Sequence, residues 1–133
     1  MKGRVLADGA ADGAALVLSE PLSLWGGVDP ATGTIIDARH PQRGSSTAGR
    51  VLVMPAGRGS SSSSSVLAET VRAGCAPAAI LLGAPDLILA VGAAVAEELY
   101  GRQLPVVVLD RSDLAQIGDG QAVSVRGAEV RLG

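Results

Sequence analysis

The chain has 133 residues, 47% of them hydrophobic, and a formal net charge of -2. That length and apolar content give one domain with a real core and exclude a disordered chain. The weak charge, with Trp25 and Tyr100 the only aromatic residues, excludes an electrostatic footprint for nucleic acid and a stacking platform for single strands.

Cys75 is the single cysteine. It excludes an internal disulfide and a thiolate-only metal or cluster site made by this chain alone. It reads as a small apolar residue near a helix end. Met1-Lys2-Gly3-Arg4 leads into a strand-like run, not the apolar segment of a signal peptide. The longest apolar stretch, Ile88 to Ala96, is too short to span a bilayer. The expectation is one cytoplasmic domain over residues 1–133, with neither membrane nor nucleic acid as partner.

In chain order, Arg4 to Ala7 and Ala15 to Leu18 read as short strands separated by a turn rich in Gly and Asp, with Asp8-Gly9 and Asp12-Gly13. Leu24 to Pro30 reads as a loop, because of the Gly26-Gly27 pair and the Asp29-Pro30 break. Ile35 and Ile36 form a brief extended piece, and Asp37 to Ser46 is a polar loop. Arg50 to Met54 is a continuous apolar run, the pattern of a strand buried on both faces. Next come Gly57-Arg58-Gly59 and six serines, Ser60 to Ser65. The following helix carries Val66, Leu67 and Val71, and Gly74 stops it. Ala78 to Leu82 is the next strand. Asp86 caps a second helix whose apolar face reads as Ile88, Val91, Val95 and Leu99, with Glu97, Glu98 and Arg102 away from it. Gly101 ends that helix. Pro105 to Leu109 is a third buried strand, Asp110 to Ile117 a short helix or turn, and Val123–Val125 with Glu129–Leu132 a terminal hairpin around Gly127. The fold class is therefore α/β: a mixed sheet with crossover helices and flanking antiparallel β strands.

The serine run by composition is a linker. Its place between a buried strand and a helix argues instead for a loop that binds an anion, or for capping within a solvated loop. Gly57 and Gly59 let the backbone approach a ligand, and Arg58 offers a bidentate contact to carboxylate or phosphate. The loop is not a Walker A motif, since Gly-Lys-Ser/Thr is missing. His40, the single histidine, sits in a polar loop and reads as a surface histidine without a role, with a site role as the alternative. The Trp25–Asp29 loop reads either as a packed turn with one exposed aromatic or as a substrate or docking contact. Asp29 itself reads as a site residue or as a cap for the turn before Pro30.

Several blocks together resemble the small subunit of the aconitase X family. They are EPLSLWGGVDPATG (Glu20 to Gly33), Ile36-Asp37 with His40-Pro41, Gly57-Arg58-Gly59-Ser60-Ser61, and Ala76-Pro77-Ala78-Ala79-Ile80. The resemblance runs roughly from Gly3 to Val108, and the first block is its specific signature. It implies an aconitase-like swivelling β/β/α domain brought over a large catalytic part that holds an iron–sulfur cluster. It implies a hydro-lyase (dehydratase) in which this chain is a separate small subunit, inactive without an aconitase X large subunit and paired with it as a heterodimer. By the loop match, Ser60 is the catalytic base and Ser61 lines the site; Arg58 and Gly59 beside them, and Gly26, Gly27 and Asp29 of the Trp25–Asp29 loop, are read as contacts to a small hydroxy acid substrate. The match ends at Ser62-Ser63, where classical aconitases carry Arg-Glu, so Arg58 is expected to take over part of that arginine's work on substrate carboxylate. The resemblance brings two substrates, cis-3-hydroxy-L-proline and 5-phosphomevalonate. The absence of a second basic residue beside the serines leans to the amino acid. Two other classes remain: a phosphocarrier domain with His40 as carrier, and an anion-binding module without chemistry.

Overall fold

A computed structural model describes residues 1–57 and 62–133. The expectations for Arg58, Gly59, Ser60 and Ser61 lie outside the described residues. Eleven elements are assigned among the described residues: β1 (Arg4–Ala7), β2 (Ala10–Val17), α1 (Leu24–Gly27), β3 (Val51–Met54), α2 (Ser63–Ala73), β4 (Ala79–Leu82), α3 (Leu87–Tyr100), β5 (Val106–Val108), α4 (Arg111–Leu114), β6 (Ala122–Arg126) and β7 (Glu129–Leu132). The strands form one sheet in the order β1-β5-β4-β3-β2-β6-β7. The pairs β2–β3, β3–β4 and β4–β5 are parallel, while β1, β6 and β7 pair antiparallel at the flanks. This is the mixed sheet with crossover helices and flanking antiparallel strands that the sequence predicts.

The continuous apolar runs are buried on both faces because side chains alternate across a strand. Leu52 and Met54 of β3 point into one core with Ile80, Leu82, Leu67 and Leu89. Val51 and Val53 point into the other, with Ala79, Leu81, Val107, Val125 and Val130. The first core lies under α2 and α3, and the second is closed by β6, β7 and Ile117.

Two expectations are corrected. Asp12-Gly13 is not a turn. β2 runs straight through it, its first half pairing with β6 and its last three residues with β3. A Cβ at Gly13 would stand 2.8 Å from the Gly49 carbonyl oxygen, so glycine serves here for close approach within a strand. The second correction concerns α3. Its buried residues are Leu89, Gly92, Ala93 and Ala96, while Val91, Val95 and Leu99 are exposed. The helix is apolar nearly all round, so spacing did not choose the face. The small side did, because it lets α2 approach closely.

Asp86 caps α3 as expected. Its Oδ1 accepts from the Ile88 and Leu89 N–H groups at 2.9 and 3.1 Å. Asp86→Ala should cost about 1 kcal/mol of stability; a denaturant midpoint within error of wild type would contradict the cap. Among the described residues, no helix is long and apolar enough to cross a membrane.

Candidate functional site

The first three strands of the parallel set end at Val17, Met54 and Leu82, and connections leaving such ends are where α/β folds bind ligands. β3 leaves through Pro55 and Ala56 to Gly57, and the chain returns at Ser62 into α2. The helix starts at Ser63, inside the serine run, so Ser63–Ser65 are its first turn. Leu67 and Val71 bury its apolar side, and Gly74 closes it in the left-handed region (φ 79°).

Gly57 is held on two sides. It forms a parallel bridge with Leu22, and a Cβ there would collide with Asp86 Oδ2. Only glycine lets the entry of the serine loop pass over the carboxylate that caps α3. The other bracket of the run is tied to α1: the Trp25 N–H donates to Ser63 Oγ at 3.3 Å, and Ser63 is 3% exposed. α1 is a single distorted turn rather than a helix, with Trp25 extended at ψ 117° and Gly26 at φ 76°. A Cβ on Gly27 would stand 3.0 Å from Leu22 Cδ1. The structure thus ties Leu22 to Gly57 and the Trp25 N–H to Ser63, with Gly26 and Gly27 following in the same turn, and leaves Trp25 59% exposed.

Asp29 is not brought there. Its Oδ1 accepts from the Ala31 N–H at 2.9 Å, and its carbonyl accepts from Thr32 and Gly33. Pro30, the next residue, accepts from Cys75 Sγ at 3.2 Å, beyond the C-terminus of α2. Trp25 to Pro30 therefore runs beside α2 from its first turn to its last, about 16 Å for eleven residues. Asp29 organises a turn at the end away from the serines.

His40 is not a surface histidine: it is 6% exposed. Nδ1 accepts from the Gln42 N–H and Nε2–H donates to the Glu20 carbonyl, each at 3.1 Å. Both ring nitrogens are engaged, which removes the candidate carrier of the phosphocarrier reading. His40 instead anchors Glu20, where the segment leading to Trp25 and the Gly pair begins. His40→Ala should cost about 2 kcal/mol by emptying the space of a buried ring and removing its hydrogen bonds to the Glu20 carbonyl and the Gln42 N–H. Any activity lost through the Glu20–Gly27 segment should be partial; complete loss in a variant with an unchanged Tm would make His40 a reacting group instead.

An iron–sulfur cluster does not fit the residues described here. Burial and the charge of Asp29 push the Cys75 thiol up, and its Sγ is turned to the Pro30 carbonyl. Among the described residues, no three His, Cys, Asp or Glu side chains are grouped to hold a metal ion.

The chain is a mixed α/β sheet domain in which Gly57, after the C-terminal end of a central parallel strand, and Ser63, in the first turn of α2, are tied to the Leu22–Trp25 segment. Residues 1–132 match the family model of the aconitase X swivel domain, and the chain belongs to that family. It is 54% identical over 106 residues to a cis-3-hydroxy-L-proline dehydratase of Pseudomonas aeruginosa, covering 80% of this chain and 18% of that protein. It is 38% identical over 130 residues to a phosphomevalonate dehydratase small subunit of Methanosarcina acetivorans, covering 97% and 86%. The holo-form crystal structure of Thermococcus kodakaraensis aconitase X superposes with a TM-score of 0.88 at 37% identity, over 99% of this chain and 96% of that one. The chain thus spans about a fifth of the cis-3-hydroxy-L-proline dehydratases it matches and most of the phosphomevalonate dehydratase small subunits.

Proposed function

We propose that this chain is the small subunit of a two-subunit iron–sulfur hydro-lyase, with Ser60 as the base that dehydrates cis-3-hydroxy-L-proline. The observation that carries the reading is the bracketing of the serine run. Gly57 stands on one side at the exit of β3, and Ser63 on the other in the first turn of α2. A base in that connection acts close to the positive end of an eleven-residue helix, which favours the anionic form of a hydroxyl and a substrate carboxylate.

Dehydration of a 3-hydroxyproline removes the proton on C2 and the hydroxyl on C3. Ser60 takes the C2 proton as that C–H bond breaks, and its electron pair becomes the C2–C3 π bond. The hydroxyl leaves C3 with its bonding pair as hydroxide, and release of the abstracted proton from Ser60 balances it as water and restores the base. Arg58, Gly59 and Ser61 share the loop and line the substrate, with Arg58 on the carboxylate. Gly26 and Gly27 close the turn beside Ser63, leaving room that side chains would fill. The cluster implied by the family belongs to the large subunit, and activity requires that subunit.

The choice of substrate is supported by the 54% identity to the Pseudomonas aeruginosa dehydratase. A second reading, 5-phosphomevalonate dehydration, is supported by the near full-length match to separate small subunits, 93% of the Thermococcus onnurineus protein at 40% identity. The test is kcat/KM of the assembled complex on both compounds. Preference for the hydroxyproline by orders of magnitude is expected, and preference for the phosphorylated compound overturns the substrate assignment.

A further inference from the structure

The side of α3 that the core leaves uncovered begins beside the serine run. Leu87, Val91, Val95 and Leu99 recur at helical spacing over about 18 Å and are 71, 53, 38 and 63% exposed. Two shallow grooves meet at Val91. One, of about 240 Å³, is lined by Ser64, Leu87, Ile88 and Val91. The other, of about 450 Å³, is lined by Val91, Ala94, Val95, Glu98 and Leu99. Together they make one apolar trough from the first turn of α2 to the last turn of α3. Isolated exposed apolar residues are ordinary, but a contiguous row of them marks a covered surface.

We infer that this trough is the surface on which the large subunit of the dehydratase docks. The inference rests on the two-subunit reading and extends it to a named face. Ser64 stands four residues after Ser60. A base on this chain reaches substrate in the large subunit only if the surface around its loop faces that subunit. The trough begins at Ser64, in the first turn of α2, so an interface that closes over that end of α2 continues along α3. In the Pseudomonas aeruginosa relative the matched region is 18% of one polypeptide, so the same fold there is built beside a far larger remainder. The exposed Glu97, Glu98 and Arg102 supply the polar rim that interfaces place around an apolar centre.

The alternative occupant, a second copy of this chain, is separated by experiment. Val91→Glu/Leu99→Glu is compared with wild type and with Ser60→Ala, measuring Kd for the large subunit and the mass of the isolated chain in solution. Both substituted positions face solvent, so Tm should move by only a few degrees; the milder Val95→Ser/Leu99→Ser pair repeats the test if it does not. The expected result is association weakened about 100-fold or more by the glutamates, unchanged by Ser60→Ala, with the isolated chain monomeric throughout. Unchanged affinity in the glutamate variant, with Ser60→Ala still inactive, overturns the docking face and leaves the two-subunit reading standing. A wild-type dimer that the glutamates dissociate, with large-subunit affinity intact, overturns it in favour of self-association. Failure of the wild-type chain to bind the large subunit overturns both.

Discussion

Ser60→Ala should lower kcat of the assembled enzyme by about 1,000-fold, with little change in KM, in Tm or in the affinity between subunits. Removing a general base takes away an interaction made only as the proton is transferred, so the loss appears in kcat rather than in substrate binding. The neighbouring residues sharpen the test. Ser63 is buried, and its Oγ accepts from the Trp25 N–H, so Ser63→Ala should loosen the α1 turn and lower stability with a smaller loss of rate. A kcat loss equal to that of Ser60→Ala in Ser63→Ala, at unchanged Tm, would move the base along the run. Arg58→Ala should act differently again, raising KM through the carboxylate it is proposed to hold.

Gly92→Leu should damage the fold where α2 meets α3, costing about 3 kcal/mol and roughly 10 °C of Tm. A Cβ at Gly92 would stand 3.0 Å from the Ser64 carbonyl oxygen and 3.1 Å from both Leu67 Cδ2 and Ser64 Cα. Two of those three atoms belong to backbone in the first turn of α2, and the third to a side chain with no exposed surface. None gives way cheaply in a close-packed core. The helices must separate where α2 begins, so the brackets of the serine run shift with them. Thermal unfolding and kcat of the variant should therefore fall together. A Tm close to that of wild type would mean that the α2–α3 packing is looser than the contacts at Gly92 imply.

The fold was legible where composition leaves one solution. Val51–Met54, Ala79–Leu82 and Val106–Val108 are short apolar runs bounded by Gly or Pro, and such runs become central strands. Gly74 and Gly101 follow the last apolar residue of their helices and adopt positive φ there. The Asp86 cap was readable from its place just before the apolar run. Three features were not readable, each for a tertiary reason. Asp12-Gly13 carries a turn signature, but a neighbouring carbonyl requires a residue without Cβ in a strand. The buried side of α3 is set by Gly92, Ala93 and Ala96, whose smallness admits α2, while the larger residues that periodicity favours stay outside. His40 lies in a stretch of polar residues, and only the folded chain carries the Glu20 carbonyl to its ring. Within the candidate site, residues far apart in sequence come together in space: Leu22 pairs with Gly57, and the Trp25 N–H donates to Ser63. The sequence motif alone did not separate Asp29 from them; the length of α2 does.

On the proposed function, chemistry on the substrate needs this chain in addition to a large subunit. The direct measurement is a titration of purified large subunit with this chain, following dehydration of cis-3-hydroxy-L-proline. The predicted result is no turnover by either component alone and a rate that rises to saturation at one chain per large subunit. Full turnover by the large subunit alone, or by this chain alone, would contradict the account.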